Sequence, residues 1–229
     1  MKKPLLIGSM VLLFLLPAFG KETQLHKATN VLNEIMSTPD KGIPHDLLDK
    51  AVCVGIVPSE IKGAFMVGGT YGRGVLVCRE RGIGPWGAPS MFSLGGASFG
   101  FQLGGEATDV VFIVMNAAGA RKLVQDSVKL GGDLSVAAGP VGRSAEGATD
   151  AQLHAEILSY SRTRGLFAGV SLEGAVFKQD KDANRSLYGR EVTAKQILIQ
   201  GGLPAPPEAK WLDGALSKYS PHGGQPIHG

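Results

Sequence analysis

Arg143, Glu146, Arg164 and Glu173 are the residues of this chain whose types and spacing suggest a binding site. Arg143 and Arg164 could grip a lipid phosphate, because a planar guanidinium matches phosphate oxygens in pairs. Asp133 lies nearby in sequence. The same set has a purely structural use, in which the arginines pair with Glu146 and Glu173 and tie turns together. Both uses remain open in the sequence. Glu173 stands in an otherwise apolar run, where a carboxylate needs a partner or water.

Catalytic patterns do not assemble. Gly96-Ala97-Ser98-Phe99-Gly100 has nucleophile-elbow spacing, but that motif needs a helix after the serine. The next residues, Phe101-Gln102-Leu103-Gly104-Gly105, read as strand. His154 is the one histidine downstream within the domain, so no triad forms. Gly69–Gly74 (GTYGRG) has the wrong spacing for a dinucleotide fingerprint. The histidines at 26, 45, 154, 222 and 228 lack zinc-site spacing. The expectation is a non-enzymatic protein without cofactor or metal.

The elements that would position these residues read as one α+β domain. Residues 22–36 form an amphipathic helix: Leu25, Ala28, Leu32 and Ile35 recur at helical spacing. Read from periodicity, its apolar face packs on the domain. Lys21, His26 and Lys27 are its basic or potentially basic residues, a weak charge for membrane attachment. A short helix is expected over 44–50 and a buried strand over 51–57. A hairpin over 64–70 and 74–79 would turn at Tyr71-Gly72-Arg73. Trp86 lies in the glycine-rich loop 79–89, either packed beneath it or serving as an interfacial anchor. Residues 91–104 read as strand and 109–115 as a central strand.

Asn116 should cap a helix over 117–129, ended by Gly131-Gly132. Residues 133–138 are the next strand. The stretch 155–161 should pair with 166–178 around a tip at Gly165, and small residues such as Gly169 and Gly174 let another backbone approach. A polar turn at 180–185, a capping-box helix from Thr193 to Gln200 and a last helix over 208–219 complete the domain. Residues 220–229 read as a disordered tail.

Lys2 and Lys3, an apolar run to Phe19 and the small residues Ala18 and Gly20 read as a signal peptide over 1–20. That places the protein outside the cytoplasm, periplasmic or secreted, with peripheral attachment to a membrane as an option; an uncleaved membrane anchor is the other reading of this segment. The mature chain has 21 basic and 20 acidic residues, too balanced for a dedicated nucleic-acid binder. Glycine, at 33 of 229 residues, is about twice its usual share. It sits among apolar residues, which points to a tightly packed, curved sheet. Cys53 and Cys78 both lie in strand-like runs, and an exported protein can hold a disulfide. A Cys53–Cys78 bridge and two buried thiols both remain open.

Residues 161–175 (SRTRGLFAGVSLEGA), 136–147 (VAAGPVGRSAEG), 86–90 (WGAPS) and 95–109 (GGASFGFQLGGEATD) together resemble the SYLF family, also called the Ysc84 actin-binding domain. The resemblance runs from about Leu25 to Tyr219. It implies a curved, glycine-rich, largely antiparallel sheet packed with several helices over 21–219. It also implies lipid binding, with an apolar groove or patch and the N-terminal helix contacting phospholipid. The lipid-contacting candidates are Leu25, Lys27, Leu32, Ile35, Trp86, Arg143 and Arg164. Eukaryotic relatives bind phosphoinositides and actin. The leader sends this chain away from both, so actin binding is not expected. The other reading is an envelope assembly module that binds a protein partner.

Overall fold

The computed structural model describes residues 23–37, 42–58, 70–96, 108–142, 149–163 and 165–221. It opens with α1 (Gln24–Met36), whose N-cap Thr23 accepts a bond from the His26 N–H. Leu25, Ala28, Val31, Leu32 and Ile35 make one buried stripe along it. α2 (His45–Lys50) follows Pro44. Next come β1 (Cys53–Val57), β2 (Thr70–Cys78), β3 (Ser90–Gly96) and β4 (Thr108–Val114). Asn116 caps α3 (Ala117–Leu123) by accepting from the Gly119 N–H at 2.8 Å. β5 (Ser127–Lys129), β6 (Val136–Ala138), α4 (Asp150–His154), β7 (Ile157–Thr163), β8 (Leu166–Gly169) and β9 (Val176–Gln179) complete the sheet region. α5 (Lys181–Tyr188), a π-type turn at Gln196–Gln200 and α6 (Lys210–Tyr219) finish the chain.

The strands form one curled sheet in the order β5-β9-β3-β2-β1-β4-β7-β6, with β8 also paired to β7. β6 runs parallel to β7, and the other pairs are antiparallel. This is the expected α+β class. Side chains alternate across the sheet with period two. Val110, Phe112 and Val114 serve one core, and Val111 and Ile113 the other. On the first face Phe92 lies 5.7 Å from Phe112 and 4.5 Å from Phe177, centroid to centroid. On the second face α1, α2 and α6 cover Val54, Ile56, Val75 and Val77.

Cys53 stands directly opposite Cys78 on β1 and β2, and the two are bonded as a disulfide. The Arg79 N–H bonds to the Val52 carbonyl next to them. The cysteines therefore occupy a non-hydrogen-bonded pair, where cross-strand Cα atoms are closest. Register, which the sequence does not display, brings them together.

Several local expectations change. Tyr71-Gly72-Arg73 is no turn: Thr70–Cys78 is one continuous strand. The helix from Asn116 stops at Leu123, and Val128 belongs to an edge strand that pairs with β9. The stretch 166–178 is two strands. β8 pairs with β7 around Gly165, whereas β9 crosses to pair with β3 and β5. Gly169 does serve a close approach, since a Cβ there would stand 2.1 Å from the Gly139 carbonyl oxygen. The expected turn at 180–185 is helical, because Asp180 accepts from the Ala183 N–H and starts α5. The Thr193–Gln196 capping box is formed as expected.

Candidate functional site

Arg143, Glu146, Arg164 and Ser98 lie outside the described residues. Glu173 is exposed in the turn before β9, so its carboxylate is solvated and not enclosed in an apolar strand. Asp133 accepts from the Lys129 N–H at 2.8 Å and shapes the turn after β5. Among the described residues, no group of three or more His, Cys, Asp or Glu side chains is placed to hold a metal ion. No described helix is long and apolar enough to cross a membrane.

Leu25, Leu32 and Ile35 are core residues, packed in the cluster that joins α1 to the sheet and to α6. A role for them in a bilayer would require α1 to leave that core. The helix is also tied by charge. Arg162 on β7 binds the buried Asp109 through Nε at 2.8 Å and reaches Glu34 of α1 through Nη1. Lys27 is half-buried and lines a cleft of about 560 Å³ between α1, β2 and α5, together with Gln24, Arg73, Asp180, Leu187 and Glu208.

Trp86 is buried at 5 % exposure, which removes it as an interfacial anchor. Its ring lies 4.0 Å from the guanidinium carbon of Arg79, and its Nε1–H donates to the Ser220 carbonyl at 3.0 Å. Arg79 is itself fully buried. It donates to the carbonyls of Ala51 at 3.2 Å, Gly84 at 3.3 Å and Ser220 at 2.9 Å, and to Ser220 Oγ at 2.6 Å. Ser220 Oγ in turn donates to Asp49. Burial pushes the Arg79 pKa down, and Asp49 opposes that shift. Ser220 is thus the anchored end of α6 and not the start of a disordered tail. Residues 222–229 lie outside the described residues.

Among the described residues, three of six exposed large apolar side chains stand at one end of the sheet, Tyr71 and Val176 on the helix-covered side and Leu166 on the other. There β1, β3 and β7 finish, and β2, β4, β8 and β9 begin. Leu166, the first residue of β8, is 77 % exposed, Tyr71 near the start of β2 is 50 % exposed, and Val176 opening β9 is 39 % exposed. Trp211 on α6 and Ile83 and Val141 in connecting segments are exposed elsewhere. This rim has the chemistry of a contact surface: apolar side chains held out by rigid strands, with no nucleophile or acid–base pair among them.

A sequence model of the Ysc84 family, described as "Las17-binding protein actin regulator", matches residues 95–219. The chain belongs to this family. It is 40 % identical over 192 residues to LAS seventeen-binding protein 3 of Saccharomyces cerevisiae, covering 81 % of this chain and 41 % of that protein. It is 35 % identical over 212 residues to the human SH3 domain-containing YSC84-like protein 1, covering 88 % of this chain and 61 % of that protein. An SH3 domain-containing protein of Schizosaccharomyces pombe is 43 % identical over 159 residues, or 68 % of this chain and 36 % of its own length. The chain therefore spans roughly a third to three-fifths of the curated relatives it matches.

Two polar centres of this Ysc84-family domain escape sequence reasoning. One is the Arg79–Ser220 node, whose partners are 141 residues apart. The other is Glu156, which accepts from Lys122 Nζ at 2.9–3.0 Å and from the Ser135 N–H at 3.0 Å. Burial alone would raise the Glu156 pKa, but those bonds hold it below the usual carboxylate value. Its only signal in the sequence is a lone acid between Ala155 and Ile157, which is too common to single out.

Proposed function

We propose that this Ysc84-family domain is a non-catalytic, exported module that binds phospholipid surfaces. The carrying observation is that Leu166, Tyr71 and Val176, all exposed, stand at the same end of the sheet on rigid strands. An apolar rim on short rigid strands can dip into a headgroup layer without unfolding anything. Export is supported by the leader-like residues 1–20 and by the Cys53–Cys78 bridge, since disulfides persist in oxidising compartments.

Purified mature protein should co-sediment with phosphatidylcholine vesicles. Leu166→Glu should weaken that binding by about tenfold or more, because losing one buried leucine from a membrane contact costs about 1.5–3 kcal/mol. The exposed position predicts an unchanged melting temperature. Equal binding by the variant would remove the rim from the function. Export is checked separately: the intact mass of protein recovered from outside the cytoplasm should begin at Lys21, and a mass that retains Met1 would reject the cleaved leader.

A second reading is a protein-binding envelope module. The family description names Las17 binding. In addition, the outer edge of β8 has no strand partner among the described residues, and an open edge accepts an added strand. Vesicle binding that fails for wild-type protein would favour this reading.

A further inference from the structure

We infer that β8 is a dimer edge: two copies of this domain pair their β8 strands antiparallel about Phe167, and each seats Leu166 against Ala168 of the other. This rests on the protein-binding reading above and names a second copy as what the open edge takes.

Among the described residues the sheet has three edges, β5, β6 and β8. Two of them are closed by their own chain. On β5 the Lys129 N–H donates to Asp133 at 2.8 Å, and the Lys129 carbonyl accepts from the Asp133 N–H at 2.8 Å. On β6 the Ala138 carbonyl accepts from Gln152 of α4 at 2.7 Å. β8 has no such device. Its residues, Leu166-Phe167-Ala168-Gly169, include no charge and no proline, the features that keep an exposed edge from pairing.

Register shows what this edge offers. The Val170 N–H bonds to the Ser159 carbonyl at 3.0 Å, just beyond the Tyr160–Gly169 pair. That makes Tyr160–Gly169 and Arg162–Phe167 non-hydrogen-bonded pairs. Phe167 therefore turns its N–H and carbonyl away from β7, toward the open side. Two such edges related by a two-fold axis can exchange both bonds between their Phe167 residues. The same register sets Leu166 opposite Ala168 of the partner, twice over. Both residues are exposed. Both lie on the face away from the Phe167 ring, which stacks on Tyr160 at 5.3 Å. They would form a non-hydrogen-bonded pair, where cross-strand side chains come closest, and a leucine beside an alanine fits that spacing. Gly165 and Gly169 stand next in line, with no side chain to obstruct the approach. A foreign strand would have to supply this match, whereas a second copy already carries it. Pairing covers Leu166 and leaves Tyr71 and Val176, on the helix-covered side, free.

Sedimentation equilibrium of the mature protein tests this. The mass should rise with concentration from one chain to two, and amide exchange at Phe167 should slow over the same range. Leu166→Lys/Ala168→Lys sets like charges opposite each other and strips both leucines from the contact. It should weaken association by roughly tenfold or more. Leu166→Lys/Ala168→Glu sets opposite charges there and should recover part of the loss, at low salt only. Both variants should keep the wild-type melting temperature at low concentration, because the positions are exposed. Wild-type protein that stays a monomer at every concentration overturns the inference, while the wider protein-binding reading stands. A dimer that survives Leu166→Lys/Ala168→Lys overturns it too, as does a Leu166→Lys/Ala168→Glu variant that associates no better than the like-charged one.

Discussion

Arg79→Leu is expected to lower the melting temperature by roughly 6–20 °C: breaking a buried charged network costs about 3–5 kcal/mol, and each kcal/mol moves a domain of this size by about 2–4 °C. The reason lies in what the guanidinium satisfies. It donates to Ala51, Gly84 and Ser220, and the bonds to Ala51 and Ser220 are buried, where water does not replace a lost donor. Leucine would also leave Asp49 and Ser220 Oγ facing an apolar group. The loss should reach beyond the mutated strand, because Ser220 holds the end of α6, and α6 packs on α1. Faster amide exchange in α6 than in β4 would be the local sign. A shift below about 2 °C would mean that the node contributes little more than an ordinary surface contact.

Leu32→Asp should be at least as damaging. Leu32 is fully buried in the layer between α1 and the sheet. A carboxylate there has no cation to meet, and burying it unpaired costs several kcal/mol. The measured outcome should be a strongly lowered melting temperature, or loss of a cooperative transition. The same variant separates the two roles left open for α1 in the sequence. If the stripe Leu25–Leu32–Ile35 were held out for a bilayer, the variant would lose vesicle binding and keep its stability. With the stripe packed on the sheet, it loses stability first. Unchanged melting would show that α1 does not rest on the sheet in solution.

These two predictions mark different levels of legibility. Leu32 was visible from the sequence as part of a helical stripe, because helical periodicity is local and survives in any packing. Arg79 was not visible. A lone arginine in a glycine-rich loop says nothing of a serine 141 residues away. The candidate lipid site divides the same way. Leu25, Ile35 and Trp86 were readable as large apolar residues on definite elements, but which side of each faces water depends on what packs against it. All three proved buried. Leu166, the most exposed large apolar residue, lies inside the GLFAGV string, which reads as strand without showing which side chains face water.

By itself the sequence determined what depends on near neighbours along the chain. This includes the α1 stripe, the Asn116 cap, the Thr193 capping box, the dense run that became β4, and the family carried by residues 161–175. Only the tertiary structure decided what depends on partners far away. Gly72 looked like a turn former, yet it lies with Gly74 inside β2, where an added Cβ would meet Val57 at 2.6 Å or the Phe92 ring at 2.4 Å. Val128 fits a helical face, but its position opposite Phe177 made it a strand residue. Cys53 and Cys78 became a bridge through register, and Lys129 and Lys178 became neighbours of Tyr71 and Val176 through a crossover that carries β9 to β3. Glycines, cysteines and lysines have little structural preference of their own at these positions. Strand pairing fixes their neighbours, and pairing is settled by burial summed over the whole sheet.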